Sequence, residues 1–590
     1  MISGCAARAA AAAVLIAGLA GCSHKTAAEI GVLVTNAPAT LTISQSVSLT
    51  ANVRNDSSNA GVDWSCTGGA GAFAPAHTAS GATTVFTAPA TPGALTVTAA
   101  ATADPSATDS AQITIVPIGS NAMLDGTYVF AVQGADTSGS YTAAGTLVAD
   151  GNGTITGGQQ DYSDETLQAG PDAVAGTYAI GPDGRGSITL AVANANLPNN
   201  GVETFSVVMT SGGHGLIGQF DGTATSSGSL DVQGGDALDP AAVAGAFAFT
   251  SQGLDLSRQV PLTRGGVMVL SAATGTVSGG TYFENDGGYT YSGGITGTLT
   301  APDGSGRGTI DLAVGVTFAY YAVQGRVLRL VEKGFPSALT GGVMAGQGEA
   351  GLSQTFSDAS LNGSYVLSHA GGTGSGALAL AGQFTADGAG NFTAGTTDLN
   401  DAGTGTFAAI SGQSRYALSA DGSGWISLPL TVDQLGNVSL LLIFAVDPAL
   451  NLLDPSSPTG GGGALVMDYD TGAVASGYIL PQAAGTFDGN YALNLQFVGS
   501  SGENDWIGQA AASAGALAGT VDTNASGETT AGAGLTGGFT ADASRPGRWT
   551  GTFTAGGTTH NLTYYQVSDA AFVIVDMDGA DVGIGLIQRQ

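Results

Sequence analysis

The chain has 590 residues, room for about four or five domains; just 10% are charged, yet 45 acids against 14 bases give a net charge of −31. Phosphate backbones would repel such a chain, so nucleic acid is excluded as an expected partner and anionic membrane surfaces are disfavoured. With 43% hydrophobic residues, 96 glycines and no collagen period, the composition excludes a disordered chain. It fits an all-β extracellular protein with many tight turns.

Residues 1–21 read as a signal peptide. Arg8 supplies the positive start and residues 9–20 form an apolar run of 12. Spanning roughly 30 Å of bilayer takes about 20 helical residues, so a cleaved leader is expected rather than an anchor helix. The run closes in Leu19-Ala20-Gly21-Cys22, which resembles the lipobox of bacterial lipoproteins. That resemblance implies cleavage before Cys22, lipid on the Cys22 sulfur and amine, and a tether over residues 22–30. Ser23, where an Asp would favour inner-membrane retention, implies an outer-membrane or cell-surface location. The alternative is an ordinary secretory signal cut near Gly21. The most apolar later segment, VSLLLIFAV (438–446), is strand-length, and the strands lack the aromatic girdles of a membrane barrel. Cys5 leaves with the leader and Cys22 carries lipid, so Cys66 is expected to be an unpaired, small apolar residue.

Residues 31–118 alternate apolar and polar positions in TLTIS (40–44), SVSLTANV (46–53) and ALTVTAAA (94–101), with turn clusters between. Together with VDWSCTGGAGAFAP (62–75), TVFTAPATPG (84–93) and AQITIV (111–116), the pattern resembles the bacterial Ig-like domains of surface proteins. The resemblance implies a two-sheet sandwich with Trp64 filling its core. It departs from relatives that carry a second cysteine after Trp, since Thr67-Gly68-Gly69-Ala70 stands there.

Beyond this module the chain repeats four times, over 122–233, 241–347, 359–482 and 485–590. A start motif recurs as LDGTY (124–128), VAGAF (243–247), LNGSY (361–365) and FDGNY (487–491), its glycines spaced by 119, 118 and 126 residues. A central hairpin recurs as GTYAIGPDGRGSITL (176–190), GTLTAPDGSGRGTIDL (297–312) and SRYALSADGSGWISL (414–428), and more loosely at 537–553. At the repeat ends, Asp221, Asp470 and Asp578 precede Gly228, Gly477 and Gly585 by seven residues, and Gln233, Gln482 and Gln590 follow five later. The second repeat keeps Gly342 and Gln347 but places Phe335 at the aspartate position. The chain stops where a repeat stops, so a whole final repeat is expected. Eight strand-like runs in the first repeat, joined by short hairpins, predict an eight-stranded up-and-down barrel, with a two-sheet sandwich as the alternative. Short polar linkers predict separate beads on a string.

Enzyme signatures are nearly absent. There is no G-x-S-x-G, Walker loop, C-x-x-C or H-E-x-x-H, and His24, His77, His214, His369 and His560 are scattered. A G-x-G-x-x-G at Gly532, Gly534 and Gly537 has no β-α-β setting. Asp-Gly-x-Gly stretches at 150–153, 183–186, 387–390 and 421–424 read as Asp-capped turns. The alternative reading is calcium, whose weak candidates are Asp576, Asp578 and Asp581. The recurrent aromatics Tyr128, Phe247, Tyr365 and Tyr491 are expected in cores. Of the pairs Tyr320-Tyr321 and Tyr564-Tyr565, one ring should face inward and one outward.

The sequence therefore points to a non-enzymatic, lipid-anchored surface protein, an adhesion or binding array for extracellular proteins or glycans, with no cofactor. The alternative is a lipocalin-like carrier of small apolar ligands inside its barrels. A hydrolase using two unmatched carboxylates is a third reading, with no position to support it.

Overall fold

The computed structural model describes residues 29–43, 45–89, 91–117, 119–348, 355–410, 412–428, 439–579 and 581–590. The leader, the lipidation candidate Cys22 and His24 lie outside the described residues. Among the described residues no helix is long and apolar enough to cross a membrane.

The N-terminal module is a two-sheet sandwich. One sheet holds Gly31–Thr35, Ser46–Arg54, Thr83–Thr87 and Ala72–Ala74; the other holds Thr40–Thr42, Asp104–Val116, Gly93–Ala101, Val62–Thr67 and His77–Thr78. Alternation sends Leu49, Val62, Trp64, Phe86, Val97 and Ile113 between the sheets. Trp64 stacks on Phe73 and its indole donates to Thr78 Oγ1 at 3.0 Å, so the core tryptophan has its polar edge satisfied. Cys66 is half-buried and free, its sulfur 3.5 Å from the carbonyls of Gly69 and Gly71.

Four eight-stranded antiparallel barrels follow, each wound in sequence order. Their first strands are Asp125–Asp136, Gly245–Asp255, Asn362–Thr373 and Gly489–Gly499. Each pairs with the last strand of its own barrel: Ala224–Val232, Ala338–Gly346, Ala473–Pro481 and Asp581–Arg589. Barrels 1 and 4 are closed by continuous ladders. In barrel 2 the fourth strand is split into Tyr289–Gly294 and Gly297–Leu299, both paired with Thr276–Asp286. In barrel 3 it is split into Thr404–Ala409 and Arg415–Leu418, the second piece joined to the third strand by an Asn391–Arg415 bridge. Closure leaves no strand edge in barrels 1 and 4, while Tyr289–Gly294 and Thr404–Ala409 each pair on one side only.

At the closing seam, Gly228, Gly342, Gly477 and Gly585 sit so close to the first strand that an added Cβ would lie 2.4 Å or less from a backbone oxygen. That explains the glycine at each repeat end. Each interior is filled by its own side chains, with Tyr128, Phe247, Tyr365 and Tyr491 among them.

The barrels are not beads on a string. They pack side by side in a ring, barrel 1 on 2, 2 on 3, 3 on 4 and 4 on 1. The cause is the outward face of the strands, which is apolar: Val129, Ala248, Tyr321, Val366, Phe444, Tyr565 and Val573 come from different barrels and share one buried cluster. Val208 and Leu216 of barrel 1 pack on Ala492 and Ile507 of barrel 4. The expected inward–outward split of the tyrosine pairs holds, since Tyr320 and Tyr564 fill interiors. The outward rings, however, are buried against neighbouring barrels. Tyr321 donates to Asp161 of barrel 1 and Tyr565 to Asp398 of barrel 3.

Three polar contacts repeat around the ring. The repeat-end glutamine reaches the next barrel. Gln233 Nε2 donates to the carbonyls of Ser305 and Ala322, Gln347 to Asp421 and Ala445, Gln482 to Gln566, and Gln590 to Asp183 and Met209, at 2.8–3.1 Å. The central-hairpin glycines Gly184, Gly306, Gly422 and Gly547 make room for it. A Cβ there would lie 2.3–2.7 Å from the glutamine nitrogen.

An asparagine on the third strand is the second contact. Asn285 Nδ2 donates to the carbonyls of Asp468, Asp470 and Ala473; Asn400 to those of Asp576, Asp578 and Asp581; Asn524 to those of Gln219, Asp221 and Ala224. Third comes a carboxylate two residues earlier. Asp161 binds Arg307 and Lys333, Asp398 binds Arg548, and Asp522 binds Arg185. Barrel 2 has Phe283 there, and packs it on Phe444 and Tyr469 of barrel 3.

Two outcomes follow from the shared core and the glutamine contacts. Calorimetry of the full chain is expected to show the four barrels melting in one transition, whereas four separable transitions would mean independent modules. Gln590→Ala leaves two carbonyls without their donor and is expected to cost about 1–3 kcal/mol in urea denaturation.

Candidate functional site

A concentration of buried charge lies where the four barrels converge. Arg329, outward-facing on the seventh strand of barrel 2 (Val327–Glu332), donates to Asp231 Oδ2 of barrel 1 at 2.6 Å. Asp231 Oδ1 is 2.7 Å from Nδ1 of His214, also of barrel 1, and His214 Nε2 is 2.9 Å from Gln588 Oε1 of barrel 4. Gln588 Nε2 in turn donates to the Leu453 carbonyl in barrel 3. One chain of hydrogen bonds therefore joins all four barrels.

Burial alone would lower the His214 pKa, but the carboxylates of Asp454 and Asp231 and the Gln588 contact push it up to about 9. The imidazole is thus a cation at neutral pH, donating from both nitrogens. Burial would raise Asp231, yet Arg329 and His214 hold it well below the usual carboxylate range. This is an ion-pair network with both histidine nitrogens occupied, and it offers no free base for catalysis.

The long insertion between two strands of barrel 3, residues 447–463, is part of this convergence. Leu450 and Leu452 join the shared apolar cluster, and Asn451 accepts from Leu453 and Asp454 to hold the loop's shape. It is a packed plug.

A second buried acidic group lies at the junction of barrels 4 and 1. Asp505 accepts from Thr225 Oγ1 at 2.6 Å and Ser227 Oγ at 2.7 Å, both of barrel 1. Burial pushes Asp505 up to about 6 despite those two hydroxyls; burial and the charge of Asp505 push Glu503 well above its ordinary value.

The calcium candidates are only partly brought together. Asp576 and Asp578 converge with His560, which the sequence reading had set aside, and Asp581 does not join the group. His560 Nδ1 lies 2.9 Å from Asp576 Oδ2. Asp578 accepts from the backbone and side chain of Asn561. Its counterparts Asp221 and Asp470 accept from the backbone of Thr204 and Leu440, so this aspartate ties the final hairpin to the sixth strand in three barrels. A calcium site wants six to eight oxygens, and these donors are spent on the fold. The Asp-Gly-x-Gly aspartates are likewise turn caps: Asp150 accepts from the backbone of Asn152 and Thr154, and Asp387 from that of Ala389 and Asn391. Gly532, Gly534 and Gly537 lie on the fourth strand of barrel 4, Glu528–Ala541.

On the outside, Tyr289 and Tyr291 stand two apart on the split strand of barrel 2, 72% and 52% exposed. Arg258 stacks over the Tyr289 ring at 4.7 Å. Neither tyrosine was singled out by the repeat pattern, because no other barrel carries an equivalent pair.

No family model matches the chain, and no curated protein matches it. Among solved structures, the FrpB iron transporter from Neisseria meningitidis (F3-3 variant) aligns over 82% of this chain and 84% of its own, at 9% identity and a TM-score of 0.11. A likeness that slight carries no argument about fold or function.

The Asp505 site sets a pH dependence. A carboxyl whose folded pKa is raised contributes stability that is present at low pH and lost as pH rises through the folded value. The urea midpoint is therefore expected to fall from about pH 4, the ordinary carboxyl range, to about pH 6, with no further loss from Asp505 above that. Asp505→Asn should flatten that fall; an unchanged slope would remove Asp505 from the account.

Proposed function

We propose that this chain is a non-enzymatic, lipid-anchored protein of the cell surface that binds extracellular partners or glycans. Lipid on Cys22 would hold it to the outer membrane. The sandwich, which resembles an Ig-like domain, would serve as a spacer: its Thr40–Thr42 strand lies against the Asn121–Met123 turn of barrel 1. The ring of barrels would be the rigid platform.

The observation that carries the binding reading is the exposed Tyr289–Tyr291 pair with Arg258. Two flat rings on one face of a strand, with a cation beside them, offer apolar area at low entropy cost. The non-enzymatic reading draws support from the histidines of the barrels, since His214, His369 and His560 are each paired with a buried aspartate inside the fold. The carrier alternative needs room inside the barrels, and the filled interiors speak against it.

Protease shaving of intact cells tests the location, with antibodies to the sandwich and to barrel 4. Loss of both signals, together with release of a Cys22→Ser variant from the membrane fraction, is the expected result. Protection until the outer membrane is permeabilised would place the chain in the periplasm and end the surface reading. On exposed protein, the Tyr289→Ala/Tyr291→Ala pair is expected to weaken binding to immobilised glycans at least tenfold while the melting temperature stays unchanged.

A further inference from the structure

A half-open cavity of about 320 Å³ lies between the barrels, with walls from all four. That volume is at the lower end of small-molecule sites. Its walls are the first and last strands of the barrels. Gln133, Gln252 and Gln496 project from the same position of three first strands, and Ala370 takes the fourth. Leu452 and Leu453 of the barrel 3 insertion, with Leu480 and Leu586, form an apolar portion.

In a chain of net charge −31, no aspartate or glutamate lines this cavity, while Arg329 and His214 both do. His214 has both nitrogens engaged. Arg329 gives one bond to Asp231, and its Nε, buried, has no partner. A buried guanidinium N–H left unmet costs more than most groups. The acceptor that meets it best is anionic, because charge-assisted bonds to Arg are the stronger kind.

We propose that this cavity is a binding site for a small organic carboxylate with an apolar body. The carboxylate would lie against Arg329, and the apolar body against Leu452, Leu453 and Leu586. This site is separate from the exposed tyrosines of barrel 2. It differs also from a lipocalin-like carrier, since it lies between barrels and not within one.

Isothermal titration of the mature full-length chain with octanoate tests it, with octanamide as the neutral match. Octanoate is expected to bind with one site per chain and at least tenfold more tightly than octanamide. Arg329→Gln should weaken octanoate at least tenfold. Because Arg329 also pairs with Asp231 and its loss could unsettle the ring, Ala370→Phe provides a second variant: it fills the cavity, leaves the ion pairs alone and should abolish binding. No octanoate binding up to millimolar concentration, equal binding of octanamide, or undiminished binding to Ala370→Phe would each overturn the proposal.

Discussion

Everything in this structure depends on the need to cover the outside of the barrels. An eight-stranded barrel with a filled interior ordinarily turns polar side chains outward, yet here the outward positions of several strands hold Val, Leu, Phe and Tyr. Water is a poor neighbour for such a wall. The ring covers each wall with the next barrel, and the polar groups at the margins then have fixed partners. The glutamine, asparagine and carboxylate contacts are donors and acceptors that become buried when the apolar walls meet, and each is satisfied across the junction.

The exceptions show how tightly the two sides of a junction are matched. Where barrel 2 has Phe283 in place of the carboxylate, barrel 3 has Ser423 in place of the arginine, and Phe444 meets the phenyl ring. Where barrel 1 has Ser163 in place of the asparagine, barrel 2 has Phe335 at the hairpin aspartate, and Gln168 of barrel 1 reaches the Glu332 carbonyl nearby. Each junction is a separate solution, polar or apolar, to the same packing problem. A shuffled pairing would leave a charge facing a ring, which opposes any other order of barrels.

Much of the fold was legible in the sequence because strand alternation and turn glycines are local signals. Eight strands per repeat and the inward–outward split of the tyrosine pairs followed from period two, whereas the core role of Trp64 was implied by the resemblance to Ig-like domains. The repeat-end Asp, Gly and Gln were visible as a pattern, but their purpose was not. Gln590 acts on Asp183 and Met209, residues far away in the chain, and periodicity carries no information about which surfaces meet. For the same reason Tyr321 and Tyr565 looked like surface rings. The central network was hidden because His214 and Asp231 of barrel 1, Arg329 of barrel 2 and Gln588 of barrel 4 have no repeated spacing to link them.

The glutamine that leaves each barrel for the next has a consequence for copy number. A head-to-tail contact repeated at a fixed rotation either runs on as an open filament or closes on itself. Here it closes after four. An open solenoid can gain or lose a unit and still stack its neighbours; this ring cannot. A fifth copy would find no free hairpin glycine to receive its glutamine, and removing one would leave a glutamine without carbonyls and an apolar wall in water. Selection on such a gene would act on the number four as strongly as on any residue.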